Sequence, residues 1–350
     1  MDGCGKIQDC MNNKTEVITP PHLISSMVAG FNMVANHITI ILFPAILDLF
    51  LWFGPHLRIR DLFLPAVNEM LKTMAETNAT QLKDYIGPIK EMQLTLLDRL
   101  NIFSFLRTFP IGIPSLLSSS LDTLKTPLGA STIFEVQSFS AFIGIWLGLA
   151  VIGIIAGSLY FYQASRIGSM PLPEFSTSEA LRQWGQMLLM TGILIIILTI
   201  LIIPLSLLFT TVTMLSPVIA QIVILVLSFL FLWLLLPLIF SIHGIFALKQ
   251  NFLISAITSI RLVRFFLPGA GFFILVSVFI YQGMGMIWTL APIDSWMTLV
   301  GIFGHAFIAS GLLVASFIYY NGGIKWMEDN LRRLAQSQIQ KNPETVEQHQ

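Results

Sequence analysis

Apolar residues in this chain are gathered into long blocks, and the polar positions between the blocks recur at helical spacing. Six blocks approach the roughly 20 residues that a helix needs to cross the hydrocarbon of a bilayer: 36–53, 139–162, 187–209, 217–242, 265–288 and 296–320. Pro44 is expected to kink the first, whereas Pro268 falls where a first helical turn tolerates it. The third and fourth are joined by TTVTMLS without a charge, which predicts a tight hairpin.

Three half-polar helices are expected in the membrane interface, each leading into a block. In 21–37, Ser25, Asn32 and Asn36 share one face and Leu23, Met27, Phe31 and Val34 the other. Around 176–186, Ser176 and Glu179 resemble a capping box, and Glu179, Arg182, Gln183 and Gln186 fall at i, i+3, i+4 and i+7. In the third, Ser255, Thr258 and Ser259 oppose Leu253, Ala256, Ile257 and Ile260, and Arg264 breaks the face. This last helix belongs to a basic connector, 244–264, that carries Lys249, Arg261 and Arg264 and no acid. Half-polar helix, span, loop and returning span then describe three units, 21–162, 174–243 and 248–320. All three enter the membrane in the same direction, as parallel repeats about the membrane normal would. The recurrence of Leu-Ile-Ser at Leu23 and Leu253 agrees with that order.

Residues 54–138 form an insertion in the first unit, with eight basic and eight acidic side chains. Val67, Met70, Leu71 and Met74, and then Leu82, Tyr85, Ile86, Ile89, Leu96, Leu97 and Leu100, predict two amphipathic helices resting on the membrane. A region of this size would have a marginal core of its own. Within it, 100–121 is apolar but interrupted by Arg107, Pro110, Gly112 and Pro114. It reads either as an interfacial or re-entrant segment or as an ordinary loop capping the bundle. A re-entrant segment must bury its backbone in protein or a wet cavity. Gly144, Gly148, Gly153 and Gly157 make two small-xxx-small pairs, which let a neighbouring helix approach closely, here expected from the same chain. Tyr160 and Tyr162, and the pair Trp288 and Trp296, are expected at membrane–water boundaries.

Composition agrees with this pattern. Hydrophobic residues make up 55% of the chain and charged ones 11%, against about 25% charged in a soluble domain. The fold class is therefore an all-α, polytopic membrane bundle of six helices. Its expected parts are a cytoplasmic tail (1–20), interfacial helix and first span (21–53), extracytoplasmic helical insertion (54–138), five-span bundle (139–320), and a cytoplasmic helix with a disordered tail (321–350). Zero net charge without a Lys/Arg block excludes nucleic acid as a partner. Membrane lipids are the expected partners, with a protein partner in the membrane as a further one. Cys4 and Cys10 both lie in the N-terminal tail and lack a third ligand for a metal. The polar start predicts no cleavable leader. Near the other end, Glu328/Arg332 and Asp329/Arg333 are placed for i,i+4 pairing.

Counting Lys and Arg around six spans puts both termini in the cytoplasm, in a cell inner (plasma) membrane. Lys6 and Lys14, Arg166 and Arg182, Lys249, Arg261 and Arg264, and Lys325, Arg332, Arg333 and Lys341 all fall on one side. The short outer hairpin loops hold none, and long loops such as 54–138 count little.

Candidate chemistry is sparse. Metalloprotease, nucleophile-elbow, Walker and dinucleotide motifs are missing, so no catalytic, cofactor or metal set is assigned. Asp48 is the one carboxylate inside a predicted span, and intramembrane acids are functional candidates by default; its nearness to Trp52 also allows it to turn out to the headgroups. His305, inside the sixth span, and Arg261 and Arg264 complete the candidates. His37, His243 and His305 are each expected to be hydrogen-bonded structural residues.

AITSIRLVRFFLPGAGFFILV at 256–276, followed by FIYYNGGIKW at 317–326, resembles uncharacterised bacterial multi-span membrane proteins. The stretch is also similar, distantly, to the membrane domain attached to some glycerophosphodiester phosphodiesterases. The likeness covers about the last hundred residues and transfers no site residue. It implies an accessory membrane module, since no catalytic phosphodiesterase segment is present. Three functions follow in order: a non-catalytic scaffold or lipid-handling module, a transporter of a small or apolar solute with its site between the repeats, and a membrane enzyme acting on lipids. The enzyme would use Asp48 with His305 or the outer insertion.

Overall fold

The computed structural model describes residues 19–77, 83–119, 125–169 and 176–341. The tail with Cys4 and Cys10, Leu82, and the last nine residues fall outside that description. The helices are α1 (Leu23–Asn36), α2 (Leu42–Phe53), α3 (Arg60–Thr77), α4 (Lys83–Arg99), α5 (Phe139–Ile167), α6 (Thr177–Leu215), α7 (Pro217–Leu235), α8 (Ser241–Ala247), α9 (Phe252–Phe265), α10 (Leu267–Trp288) and α11 (Met297–Lys341). Five helical stretches are long and apolar enough to cross a membrane: Phe139–Ile167, Thr177–Thr213, Val218–Ala247, Leu267–Trp288 and Met297–Gln336. This is the architecture of a multi-pass helical membrane protein.

The predicted half-polar helix and the first predicted span form a bent pair. α1 and the stretch Ile38–Phe53 meet at 92°, and a 3-10 turn, Ile38–Ile41, opens the second arm. The break lies at His37, whose φ of −127° and ψ of 56° leave the helical region, and not at Pro44. Pro44 sits in the first turn of α2, where its missing N–H deprives the helix of no bond. With 12 residues, α2 is roughly 18 Å long and cannot cross about 30 Å of hydrocarbon alone.

α11 is the central element. α1 lies along it with Met27 and Val34 buried and Ser25, Asn32 and Asn36 exposed, so its apolar face is the one the periodicity indicated. Small residues permit the close approach: a Cβ on Gly30 would stand 2.6 Å from that of Ala315, and one on Gly311 would strike the Phe31 ring. In lipid this gain is packing rather than removal of apolar surface from water.

The polar stripe of α6 holds the connector between α8 and α9. Ser176 caps the helix by accepting from the Glu179 amide at 3.4 Å, but the Glu179 carboxylate pairs with Lys249 at 2.5 Å instead of closing a capping box. Arg182 donates to the Lys249 carbonyl at 3.1 Å, Gln183 donates to the Phe246 carbonyl, and Gln186 accepts from the Phe252 amide at 3.1 Å. Lys249 adopts φ 54°, the left-handed turn that lets the Gln250 amide bond back to the Gly244 carbonyl.

The polar face of α9 also points inward. Ser255 and Ser259 are fully buried, whereas Leu253, Ile254 and Ile257 are exposed. Ser255 donates to the Ser241 carbonyl and Ser259 to that of Pro237 at 2.6 Å. Both acceptors sit where the chain breaks between α7 and α8, so the serines satisfy carbonyls that lipid would leave orphaned.

Four short strands were not expected in an all-α chain. β1 (His56–Arg58) and β4 (Ile133–Glu135) pair in parallel, and β2 (Lys125–Thr126) pairs antiparallel with β3 (Gly129–Ala130). The β1–β4 pair ties the two ends of the insertion together beside α3 and α4, reinforced by Arg58–Glu135 at 2.7 Å and Arg60–Asp98 at 3.0 Å. Burial, aided by the Arg58 charge, holds the His56 imidazole below its ordinary pKa. The small core here, Ile59, Ile102 and Val136, is completed by Leu149 of α5, which compensates for the insertion's size.

Candidate functional site

After α4 the chain enters the bundle along α5 and returns on the same side. A Cβ on Gly153 would lie 2.4 Å from the Leu106 carbonyl oxygen, and one on Gly157 would lie 3.2 Å from the Cα of Gly112. The second small-residue pair of α5 therefore seats an irregular segment where a helix was expected. At 1.5 Å per residue, Gly157 is roughly 27 Å along α5 from its start. Gly144 and Gly148 face open space.

Asp48 fastens the returning limb. Its carboxylate accepts from the Ser115 hydroxyl at 2.5 Å, the Leu116 amide at 3.0 Å and the Leu117 amide at 3.1 Å. Asp48 is completely buried, so it does not turn out to the headgroups. Its partners stand nearly seventy residues downstream. Trp52, one turn further along α2, is buried as well and donates to the Ile293 carbonyl at 2.9 Å.

Beneath this segment lies a cavity of about 490 Å³ between residues 107–114, α5, α10 and α11. Its wall is mostly apolar, with Phe161, Phe240, Phe273 and Leu312 prominent. Polar groups reach it at few points. His243 Nε2 lies 2.7 Å from the Ser316 hydroxyl oxygen, and that hydroxyl donates to the Leu313 carbonyl. With the hydroxyl proton directed to that carbonyl, Nε2 is the donor to Ser316. Tyr160 is wholly buried and bonded to Ser310 at 3.0 Å. Tyr162 is buried too, so neither tyrosine presents its ring to the surroundings of the bundle. Ser277 lines the cavity with a buried hydroxyl that has no partner among the described residues.

His305 is buried against Tyr281, with ring centroids 5.1 Å apart, and no hydrogen bond joins it to Asp48 among the described residues. Arg261 and Arg264 are exposed on α9, away from the cavity lining. The four sequence candidates thus form no common site. Arg107, which the sequence showed only as an interruption, lines the cavity and donates to the Ser118 hydroxyl at 3.1 Å. Its signal was a lone cation in an apolar stretch of span length. Among the described residues no three His, Cys, Asp or Glu side chains converge as metal ligands. Comparison with known protein families, with curated proteins and with solved structures finds no match to this chain.

Proposed function

We propose that this protein is a non-catalytic membrane module that holds a lipid-like ligand inside its bundle. The observation that carries the reading is the apolar cavity of about 490 Å³ roofed by the returning segment. That volume lies within the roughly 300–1,000 Å³ of small-molecule sites. The resemblance to membrane domains attached to phosphodiesterases points the same way, toward an accessory role beside a protein partner.

The enzyme reading loses its chemistry because Asp48 is committed to three donors and stands without a bond to His305. A transporter of an apolar solute remains the second reading, favoured by a cavity that lies between helices of different units. We infer six crossings, with the bent pair as one, arranged as three parallel units with both termini cytoplasmic in the plasma membrane. In support, the first and third units break alike: His37 has φ −127° and ψ 56°, and Phe266 has φ −137° and ψ 52°. The unbroken 39 residues of α6 depart from that pattern in the second unit.

The test is extraction in native lipid with a membrane-solubilising polymer, followed by mass spectrometry of what co-purifies. A lipid enriched over the bulk membrane, and lost from an Ala309→Phe variant that fills the cavity, is the expected result. A lipid profile identical to the bulk in both proteins would overturn the reading.

A further inference from the structure

The cavity contains one charged side chain among its lining residues, and that residue is a cation. The backbone on either side of Arg107 is pressed into α5, since both Leu106 and Thr108 crowd Gly153. Gly153 lies roughly 21 Å along α5 from its outer end. The Arg107 side chain is exposed at the rim of the cavity, and a guanidinium at such depth in a membrane is costly without a counter-charge. Its one hydrogen bond among the described residues runs to a neutral hydroxyl, that of Ser118 at 3.1 Å, and no ion pair engages it. Asp48 is near enough to act on it electrostatically, but no salt bridge joins the two among the described residues, and the hydrogen bonds of that carboxylate run to Ser115, Leu116 and Leu117.

Resting on the lipid-holding reading above, we propose that Arg107 binds the oxyanion head of an acyl-chain amphiphile whose tail occupies the cavity. A guanidinium carries five donors in a planar fork, suited to two oxygens of a carboxylate or phosphate at once. One donor here is used on Ser118, which leaves a pair free for the ligand. Ser277 on the facing helix α10 adds a buried, unpartnered hydroxyl to the same cavity. The aromatic and aliphatic wall accepts the chain, and no acidic side chain lines the cavity among the described residues. The head group thus supplies the direct ion pair that Arg107 lacks among the described residues.

The experiment uses the full chain in nanodiscs of uncharged lipid and measures binding of oleate, oleoyl lysophosphatidate, oleyl alcohol and oleylamine by native mass spectrometry. Both oxyanions should bind about tenfold to a hundredfold more tightly than the alcohol, as expected for a hydrogen bond to a charged group, and the amine should bind weakest. Whether oleate or the lysophosphatidate is preferred identifies a carboxylate or a phosphate as the head. Arg107→Gln should remove the preference while leaving the alcohol within about twofold, and Arg107→Lys should restore part of it. Equal binding of acid and alcohol by the wild-type protein overturns the assignment of Arg107, whatever the variants do. If that binding is still lost in Ala309→Phe, the lipid-holding reading survives. If none of the four binds, or if Ala309→Phe leaves binding unchanged, both readings fall.

Discussion

Asp48 attracts notice in the sequence because an acid within an apolar block is rare, but its role depends on a segment far downstream. Its carboxylate organises the Ser115–Leu117 turn by accepting one hydroxyl and two amides. Replacing it with Ala orphans two buried amides at about 1–3 kcal/mol each. Asp48→Ala should therefore lower the unfolding temperature in detergent more than Asp48→Asn, which keeps one acceptor. Ser115→Ala should be milder still, at about 1 kcal/mol. If Asp48→Ala unfolds at the wild-type temperature, the turn is not held by this residue. Arg107 was less legible for a related reason. Nothing local distinguishes a cation that borders a loop from one that faces a cavity, because the cavity is made by helices that come later in the chain, α5, α10 and α11 among them. His305, Arg261 and Arg264 could each be picked out by type, but type does not encode that they lie apart.

Periodicity located most helices, because each apolar block is longer than any soluble core helix requires. The direction in which the polar faces point was not legible. The stripe of α6 and the serines of α9 looked interfacial, yet Gln183, Ser255 and Ser259 are buried and donate to backbone carbonyls, since broken helices create acceptors that a neighbouring polar face can meet. The glycines of α5 show the same limit: spacing announces close approach without naming what approaches. Gly153→Ala would push a methyl group onto the Leu106 carbonyl, 2.4 Å away, whereas Gly148→Ala meets nothing within 4 Å. The first should destabilise by about 1–3 kcal/mol through overpacking, and the second should be neutral or stabilising by up to about 1 kcal/mol through helix propensity. Thermal unfolding of the two variants in one detergent makes the comparison. Equal effects would mean that the segment does not rest on α5.

For the whole molecule, the orientation in the membrane determines from which side a ligand could enter. Of the 19 Lys and Arg residues, eight belong to 54–138 and the other 11 to the N-terminal tail, the connectors around 166–182 and 249–264, and the C-terminal stretch. The α6–α7 turn and the α10–α11 loop carry none. In the proposed orientation Arg261 and Arg264, exposed on α9, would meet anionic cytoplasmic headgroups, at about 1 kcal/mol for each such charge. The returning segment and the cavity beneath it would then open from the outer side, with the insertion above them. Cys4 and Cys10 are the only thiols in the chain, so they report the orientation without engineering. A membrane-impermeant maleimide should leave them unlabelled in intact cells and label them after permeabilisation. In a Cys4→Ser, Cys10→Ser background, Lys90→Cys and Asp294→Cys should label without permeabilisation, since Lys90 lies on α4 of the insertion and Asp294 is exposed in the loop between α10 and α11. Reversal of both results would turn the molecule over, placing the insertion in the cytoplasm and making the cavity accessible to soluble carriers of lipid inside the cell. Labelling of Lys90→Cys without Asp294→Cys would instead mean that the bent α1–α2 pair does not return the chain across the membrane as the other units do.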